Sequence, residues 1–451
     1  MTSTNGRRRI VIMGAAGRDF HDFNTLYRDD PAIEVVAFTA AQIPGIAGRR
    51  YPPSLAGPLY PEGIPIEDEA CLAEICRAHN IEQVVFAYSD VSYEHVMHLA
   101  SEAIAAEADF VLPGAGATML QAAVPVIAIC AVRTGCGKSQ TARHLSRHLR
   151  ARGRTVAILR HPMPYGVLER QAVQRFATLD DLAAADCTVE EREEYEPHIA
   201  AGNVVFAGID YARIAEAAAT EADIILWDGG NNDLPFLRPD LMIVLVDPLR
   251  PGHEATHHPG EAALRVADAI LIAKCNAAAS ADIARTAEGA RAVNPAAPVI
   301  RGASVVTLDN PSVVAGKRVL VVEDGPTLTH GGMAYGAGYV AATEAGAVGF
   351  ADPRTSEVAE TARVFELYPH IGPVLPAVGY SPAQLKALEM TIDGVDADAV
   401  VIATPCDLAA LIDIRKPVVR ARYEYEALGE PSLTGLVDGF LARLAAGQAG
   451  S

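Results

Sequence analysis

The chain has 451 residues, of which 37 are Lys or Arg and 56 are Asp or Glu, so its formal net charge is −19. Half of its residues are hydrophobic and 21% are charged, which excludes wholesale disorder, and the length suits two or three domains. The acid excess argues against a nucleic-acid-binding protein, so an anionic substrate would need cations that are gathered locally.

Short apolar runs alternate with longer segments rich in Ala, Glu and Arg, a pattern typical of α/β folds with mostly parallel strands. Over residues 1–123 this pattern predicts a Rossmann-like N-terminal domain. Its predicted strands are Ile10–Met13, Ile33–Phe38, Gln83–Ala87 and Phe110–Leu112, separated by helices at Cys71–His79 and Ser92–Glu107.

A second series of apolar runs predicts a central domain over residues 124–301. A third part, 302–451, is predicted as a C-terminal α/β region that is either a separate lobe or an extension of the central sheet. The predicted strands of these two parts are Val126–Ala131, Thr155–Leu159, Ile224–Trp227, Met242–Val246, Ala269–Ala273, Val319–Glu323 and Val400–Ala403.

An acidic, irregular segment, Leu168–Asn203, separates the second and third central strands and contains the charged run Glu190–Glu196. Such a run is usually a solvated helix face. An insertion that carries functional carboxylates is the alternative, and the sequence leaves both open.

A glycine turn follows the first central strand and leads into a predicted helix. Gly135 and Gly137 let backbone amides converge on phosphate oxygens at the helix N-terminus. Lys138 can reach the β- and γ-phosphates, although Val132 stands where the GxxxxGK[ST] pattern has its first glycine. The predicted nucleotide-binding residues of this loop are Arg133, Thr134, Gly135, Cys136, Gly137, Lys138, Ser139 and Gln140.

The strand Ile224–Trp227 ends at Asp228, where a carboxylate of a P-loop protein can hold Mg²⁺. Ser139 and Asp228 are therefore the predicted metal ligands, and Asp233 is a less favoured one. The predicted fold class is α/β, with a central P-loop NTPase parallel sheet, an N-terminal Rossmann-like domain and a C-terminal α/β part.

The segment Ala273–Asn276 lies where GTPases carry a guanine-reading [NT]KxD sequence. Ala273 replaces the first polar residue and Asn276 replaces the Asp, and an amide suits adenine better than guanine. Lys274 and Asn276 are thus predicted to contact the base, and ATP is favoured over GTP. A plain strand end is the alternative.

Three loops that follow strands gather cations, and such loops line the ligand crevice of parallel sheets. The candidates for holding a second anion are Arg160, His161, Arg250 and His253, and the third loop adds His330. Zinc binding by His253, His257 and His258 is an alternative that nearby Pro and Gly residues disfavour, and exposed histidines without a role are another.

The motifs form an ordered set along the chain: Met13–His21, Arg133–Gln140, Arg160–Gly166, Glu190–Tyr195, Asp228–Asp233, Arg250–His253 and Asp324–Gly332. This set resembles the cyclic 2,3-diphosphoglycerate synthetase family, whose relatives are often labelled predicted GTPases. The resemblance implies an ATP-dependent ligase that forms an intramolecular phosphoanhydride in a small phosphorylated acid and releases ADP and phosphate. It also implies a homodimer. Because the composition shows no thermophile bias, the substrate need not be the one that names the family.

Under this hypothesis one substrate phosphate attacks the γ-phosphoryl group of ATP, and its neighbour then displaces inorganic phosphate. Lys138 and Mg²⁺ serve the nucleotide. The residues expected to hold the acceptor are Arg160, His161, Arg250 and His253, with Arg18, Asp19 and His21 as a second wall.

Other functions stay open on the sequence alone. One is a P-loop GTPase that acts as a regulatory nucleotide switch, and another is a kinase or ligase for a different small anionic metabolite. A non-enzymatic dinucleotide-binding module is supported only by Gly14 to Gly17, which lacks the full GxGxxG pattern.

The remaining features concern the compartment. Seven scattered cysteines with no CxxC pair are typical of reduced thiols. The longest apolar stretch, Ala122 to Val132, is far shorter than the roughly 20 residues of a membrane span, and the basic N-terminus precedes no signal-peptide core. We therefore expect a soluble cytoplasmic protein with neither nucleic-acid nor membrane partners.

Overall fold

The structure is a computed structural model that describes residues 6–15, 17–41, 46–161, 163, 166–229, 233–329, 331–356, 358–378 and 382–448. Strands and helices alternate along these residues, so the predicted α/β class is confirmed. The strands form two large sheets and one two-stranded ribbon, Val91–Ser92 with His257–His258. Among the described residues, no helix combines the length and the apolar character that crossing a membrane requires.

The N-terminal part forms the smaller of the two large sheets. Its neighbouring strands run parallel except at Arg50–Tyr51, which pairs antiparallel with Ile64–Asp68. The middle residues of the central strands are apolar and buried, for example Ile10 and Val84, as expected where helices cover a parallel sheet. In spatial order they are Arg50–Tyr51, Ile64–Asp68, Ile33–Ala40, Arg8–Met13, Gln83–Phe86 and Asp109–Val111.

The second sheet has thirteen strands among the described residues and contains the phosphate-loop strand Val126–Ala131 near its middle. From Val204–Ala207 to the first residues of Val299–Leu308, neighbouring strands are parallel. The spatial order is Gln174–Phe176, Val204–Ala207, Val156–Leu159, Ile224–Trp227, Val126–Ala131, Leu241–Val246, Ala269–Ile272, Val299–Leu308, Val418–Ala427, Ala399–Ala403, Arg318–Asp324 and Gly349–Phe350, with Leu375–Ala377 beside Arg318–Asp324.

Two long strands carry the central sheet into the C-terminal part. Residues 299–301 pair with the central strand Ala269–Ile272, whereas residues 302–308 pair antiparallel with 421–427. Residues 418–420 then continue the sheet by pairing with 400–402. The strands of the C-terminal region therefore extend the central sheet, and the domain boundaries at 123/124 and 301/302 stay predictions.

The end of the chain returns to the central part. Helix Leu433–Gln448 buries Leu433, Val437 and Phe440 in the hydrophobic core of the central part, which also contains the phosphate-loop strand. Its Asp438 accepts hydrogen bonds from Arg152, at 2.6 Å, and from His148, at 2.8 Å.

The described helices cover both sheets. The longest of them is the one at the end of the chain, followed by Lys138–Ala151 and Ser280–Val293, which are equal in length. The helices are Arg18–Asp22, Phe23–Tyr27 (a π-helix), Pro53–Ala56, Leu72–His79, Tyr93–Ala105, Ala115–Thr118, Lys138–Ala151, Leu179–Ala184, Val189–Ala200, Tyr211–Ala219, Gly260–Arg265, Ser280–Val293, Gly325–Thr329, Ala337–Glu344, Ala359–Leu367, Pro382–Gly394, Leu408–Leu411 and Leu433–Gln448.

Candidate functional site

The phosphate loop joins the buried strand Val126–Ala131 to helix Lys138–Ala151. Gly135 has φ +78° and Gly137 has φ +106°, a backbone region that side chains with a Cβ rarely adopt. Val132 is not among the described residues with positive φ, so its position does not require the glycine of the usual pattern. Gly260 makes the close approach instead, since a Cβ there would come within 2.5 Å of the Val132 carbonyl oxygen.

A cavity of about 560 Å³ opens beside this loop. All three parts of the chain line it, for example Tyr88 from the N-terminal part, Lys138 from the central part and Tyr423 from the C-terminal part. It lies at the C-terminal ends of the central strands, where open parallel sheets bind ligands. Its volume suits a nucleotide or another small molecule.

One side of the cavity, which we call the phosphate wall, consists of Gly135, Gly137, Lys138, Ser139 and Arg160. The Lys138 side chain is half-buried, and its desolvation lowers the pKa of its ammonium group, whereas the Asp228 carboxylate opposes that shift. Arg160 is only 2% exposed and pairs with Asp228 at 2.8 Å and with Glu194. Its Nη1 also lies 3.5 Å from the Ser139 hydroxyl, so the guanidinium stands between the two predicted metal ligands.

Asp228 is fully buried at the end of strand Ile224–Trp227. Burial alone would raise its pKa, but the Arg160 guanidinium and the hydrogen bond from His198 hold the pKa of Asp228 well below its usual range. The His198 Nε2 and the Arg160 Nη1 both contact Oδ2. Oδ1 has no hydrogen-bond partner among the described residues, so this carboxylate keeps one oxygen for a further ligand.

A second set of lining residues, which we call the carboxylate wall, consists of Glu190, Glu193, Glu194, Glu323 and Asp324, and it meets the phosphate wall where Glu194 pairs with Arg160. The first three occupy one face of helix Val189–Ala200, because residues three and four apart are neighbours on a helix. The other two end strand Arg318–Asp324. The default interpretation of Glu190–Glu196 as a solvated helix is therefore wrong, whereas the alternative that the sequence left open, an insertion that carries functional carboxylates, agrees with their position at the cavity.

Burial dominates the electrostatics of the carboxylate wall. It raises the pKa of Glu193 well above its usual range, and the nearby Asp324 and Glu190 add to that shift. It also raises the pKa of Asp324, although Thr327 opposes this. Burial raises the pKa of Glu323 to about 7, against three backbone N–H groups that donate to its carboxylate. The wall thus concentrates acidic groups that are hard to ionise together.

A third group at the cavity edge joins the N-terminal part to the central part. Arg18 donates to Asp233 Oδ1 at 3.0 Å, and His161 Nε2 lies 2.9 Å from Asp233 Oδ2. Although burial opposes it, Arg18 and His161 hold the pKa of Asp233 at about 2. Arg18 and Asp19 line the cavity as the second-wall hypothesis requires, whereas His21 is buried and contacts the Thr118 carbonyl oxygen.

Arg250 and His253 were predicted to hold the acceptor, but the structure places both behind the loop and outside the described cavity lining. Arg250 pairs with Asp247 at 2.9 Å and donates to the carbonyl oxygens of Thr134 and Gly331, at 2.8 Å each. Its geometry is that of a brace that ties the phosphate loop to the C-terminal part.

The Arg133 side chain belongs to the same supporting layer. It contacts His253 Nδ1 at 2.6 Å and Asp90 Oδ1 at 2.6 Å, and Asp90 Oδ2 accepts from the Thr134 backbone N–H. Cys136 is fully buried, so this layer includes two predicted nucleotide contacts. Asp90 was not found from the sequence, since an isolated Asp before a predicted helix carries no distinctive signal.

Lys274 and Asn276 line the cavity, each with partners of its own. Lys274 Nζ donates to Asp247 at 2.9 Å. Asn276 accepts from the Ser304 backbone N–H at 2.8 Å and donates to the Ser304 carbonyl oxygen at 3.0 Å. Base recognition by these residues stays a prediction.

The zinc alternative has no geometric support, because among the described residues no group of three or more His, Cys, Asp or Glu is arranged to hold a metal ion. His257 and His258 instead form a short strand against Val91–Ser92. His330 and the central residues of the Asp228–Asp233 motif, Asn231 and Asn232, lie outside the described residues.

Comparison with known proteins adds independent findings. No family model matches the chain. The chain is 56% identical over 432 residues to "Arginine synthetase ArcE" of Thermococcus kodakarensis, and the alignment covers 96% of each protein.

Solved structures with some likeness to the chain have low similarity to it. LpxK from Aquifex aeolicus in complex with ATP has a TM-score of 0.44 at 14% identity and covers 72% of this chain and 90% of that one. The hydrogenase maturation factor HypB from Archaeoglobus fulgidus has a TM-score of 0.24 at 15% identity and covers 40% and 79%. At this similarity the fold assignment rests on the strand order and the phosphate loop themselves.

Proposed function

The chain belongs to the family of the arginine synthetase ArcE, and from that premise we propose that it is an ATP-dependent ligase that forms a guanidino group. In this proposal a ureido compound is the acceptor and a nitrogen nucleophile is the second substrate. The proposal replaces the phosphorylated acid of the cyclic 2,3-diphosphoglycerate hypothesis by an acceptor that is rich in N–H groups.

The single observation that carries the proposal is the opposed charge of the two cavity walls. The phosphate wall offers the amides of a glycine loop, Lys138 and Arg160, which suit a triphosphate. The carboxylate wall faces the same 560 Å³ cavity and suits donors such as ureido, ammonium and guanidinium groups. A ligand with phosphate at one end and nitrogen at the other matches both.

The proposed chemistry has two balanced steps. The ureido oxygen attacks the γ-phosphorus, the bond to ADP breaks, and an O-phosphorylated isourea forms with loss of one proton. A nitrogen nucleophile then forms a bond to the isourea carbon, and the C–O bond breaks to release inorganic phosphate. Both steps depend mainly on alignment and on neutralisation of phosphate charge, which Lys138 and Arg160 are placed to supply.

Mg²⁺ is part of the proposal, and the donor set fits it. The Ser139 hydroxyl lines the cavity and Asp228 Oδ1 is a buried carboxylate oxygen without a partner among the described residues. Mg²⁺ commonly binds one or two protein oxygens and completes its shell with water and phosphate. It would supply charge neutralisation at the β- and γ-phosphates.

Ring closure of a phosphorylated acid is the second candidate, favoured by the cations Arg18, Arg160, His161 and Lys274 at the cavity. Arg18 and Lys274, however, already pair with carboxylates of the protein, and Arg160 is assigned to the nucleotide. A doubly phosphorylated acceptor beside ATP would also lie against the carboxylate wall, where like charges repel. For these reasons we favour the ureido acceptor.

The test is a product assay with purified protein, Mg²⁺, ammonium chloride and L-citrulline, which is the ureido analogue of arginine. We expect ADP, phosphate and arginine in equal amounts with ATP, and less product with GTP. A requirement for 2,3-diphosphoglycerate instead of citrulline would support the second candidate. Phosphate release that needs no acceptor would support the regulatory nucleotide switch.

A further inference from the structure

We infer that the Glu193 and Asp324 carboxyl groups form a binding site for ammonium, the nitrogen donor of the ligase reaction. The inference rests on the proposed function and assigns a second-substrate site within its cavity. The observations behind it are the burial of Glu193, one of its oxygens without a donor, and the carboxyl group that faces it.

Glu193 is rigidly held and points into the cavity. It is 5% exposed and lies on the inner face of helix Val189–Ala200. The Thr404 hydroxyl donates to Oε1, which orients the carboxyl group. Oε2 receives no hydrogen bond from an N–H or O–H group of the described residues, although the Glu193 and Asp324 carboxyl groups lie within hydrogen-bonding reach of each other when they share a proton. A buried oxygen in this state is costly unless a shared proton or a ligand satisfies it.

The group that faces Glu193 is the Asp324 carboxyl, at the end of strand Arg318–Asp324. Asp324 Oδ2 accepts from the Thr327 N–H at 3.2 Å and from the Thr327 hydroxyl, so this side chain is also oriented. Carboxylates have only acceptors, and therefore two facing carboxyl groups are joined by a shared proton or by a cation that donates to both.

Ammonium is the cation that suits this position. It carries four N–H donors, so one ion can replace the shared proton and donate to both carboxyl groups. A larger amino-acid donor would bring its own carboxylate against Glu190, Glu193 and Glu194, which disfavours it. A resident metal ion is not favoured either, because no suitable cluster of ligands occurs among the described residues.

The pair also accounts for the proton balance of the second step. Bound ammonium gives one proton to the Glu193 carboxylate and becomes ammonia, which is the nucleophile. Ammonia forms the C–N bond to the isourea carbon, and inorganic phosphate leaves with one proton that came from ammonia. Glu193 then returns the proton that it took from ammonium to the new guanidino group. Product then leaves as guanidinium and the carboxylate is restored.

The test compares wild type with Glu193→Gln, Asp324→Asn and the exposed control Glu216→Gln. Ammonium chloride is varied at constant ionic strength and at saturating ATP and citrulline. We expect KM for ammonium to rise about 10-fold or more in both site variants, because each loses a charged hydrogen-bond acceptor. KM for ATP and for citrulline should stay within about twofold of wild type.

A second measurement separates binding of the nitrogen donor from the first chemical step. Without ammonium, wild type mixed with ATP and citrulline should release a burst of about one ADP per active site, and the folded site variants should keep that burst. If a folded Glu193→Gln variant has an unchanged KM for ammonium, the inference is overturned and the proposed function survives. If wild type shows no citrulline-dependent ADP release, the proposed function itself fails.

Thr404→Val keeps the test decisive where a carboxyl variant does not fold. It removes the hydroxyl that orients Glu193 and leaves both carboxyl groups in place. We expect KM for ammonium to rise severalfold, with the ADP burst intact. An unchanged KM for ammonium in this variant counts against the inference.

Discussion

The two walls of the cavity bury charge in opposite ways. On the phosphate wall, Arg160 is surrounded by the carboxylates of Asp228 and Glu194, so the buried charges balance within the fold. On the carboxylate wall, Glu193 faces Asp324, and burial raises the pKa of both. The paired charges of the phosphate wall indicate residues that are already in position for a nucleotide. The facing carboxyl groups of the carboxylate wall agree with the binding site for a cationic ligand that we infer.

The largest effect is expected on the phosphate wall. Lys138→Ala removes the only ammonium group of the glycine loop, and kcat should fall by about 100-fold or more, the scale lost with one preorganised donor to a transition state. The melting temperature should change little, because burial of this charge does not favour the fold. Lys386→Ala on the exposed surface is the matched control. Retained ATP turnover in Lys138→Ala would contradict the assignment of the phosphate wall to nucleotide binding.

A pair of arginine variants separates catalysis from bracing. Arg160→Lys keeps the charge but loses the planar fork that contacts Asp228 and Ser139, so kcat should fall about 10- to 100-fold. Arg250→Lys loses its bonds to the Thr134 and Gly331 carbonyl oxygens, which should lower the free energy of unfolding by about 1–3 kcal/mol with a smaller change in kcat. Turnover assays and urea unfolding measure the two quantities. Equal losses of kcat in both variants would contradict the assignment of Arg250 to the supporting layer.

The buried carboxyl groups of the carboxylate wall should make the free energy of unfolding depend on pH. The pKa of Glu323 is raised from its usual value to about 7, so the folded state holds a proton that the unfolded state has released. This contribution is fully present below about pH 4.5 and is lost as the pH rises through about 7, at about 1.4 kcal/mol per pKa unit at most.

Glu323→Gln tests this sign. Urea unfolding at pH 5, 6, 7 and 8 should show that wild type loses stability relative to the variant as the pH rises. The exposed Glu366→Gln is the control for the other titrating groups. If the difference between wild type and Glu323→Gln stays constant with pH, burial of this carboxyl has no electrostatic cost in the ligand-free protein.

The smallest effect is expected at the base-recognition segment. Asn276→Ala removes two hydrogen bonds to the Ser304 backbone and should cost about 1–2 kcal/mol of unfolding free energy. The ratio of KM for ATP to KM for GTP should change less than about threefold, because both polar groups of Asn276 are already used. A collapse of the preference for ATP would show that Asn276 reads the base directly.

Some parts of the site could be predicted from local sequence because their geometry is local. The turn at Gly135 and Gly137, the start of the helix at Lys138 and the delivery of Asp228 by its strand each depend on a few consecutive residues. Apolar runs likewise predicted five strands of the central part to within one residue at each end, but Gln174–Phe176 and Val204–Ala207 were missed. The strand Val418–Ala427 was missed because it alternates buried and exposed residues, and the sequence was searched for continuous apolar runs.

The cationic loops show what local sequence could not predict, namely which arginine lines the cavity. Arg160 and Arg250 both follow strands of the central sheet and were given the same role. Their partners decide between them: Arg160 meets the cavity beside Ser139, whereas Arg250 is enclosed by Asp247 and two carbonyl oxygens. Those partners come from distant segments, so spacing along the chain does not distinguish the two residues.

The sequence by itself determined the α/β class, the phosphate loop and the expectation of a nucleotide, because glycine conformations and strand-to-helix turns are set by neighbouring residues. Only the tertiary structure decided that the acidic helix is buried and that Glu193 faces Asp324. That contact requires the long strands Val299–Leu308 and Val418–Ala427 to carry the C-terminal part alongside the central sheet. Carboxyl groups that are buried by such long-range packing leave no periodic pattern in the sequence. Their position at the cavity is therefore visible only in the tertiary structure.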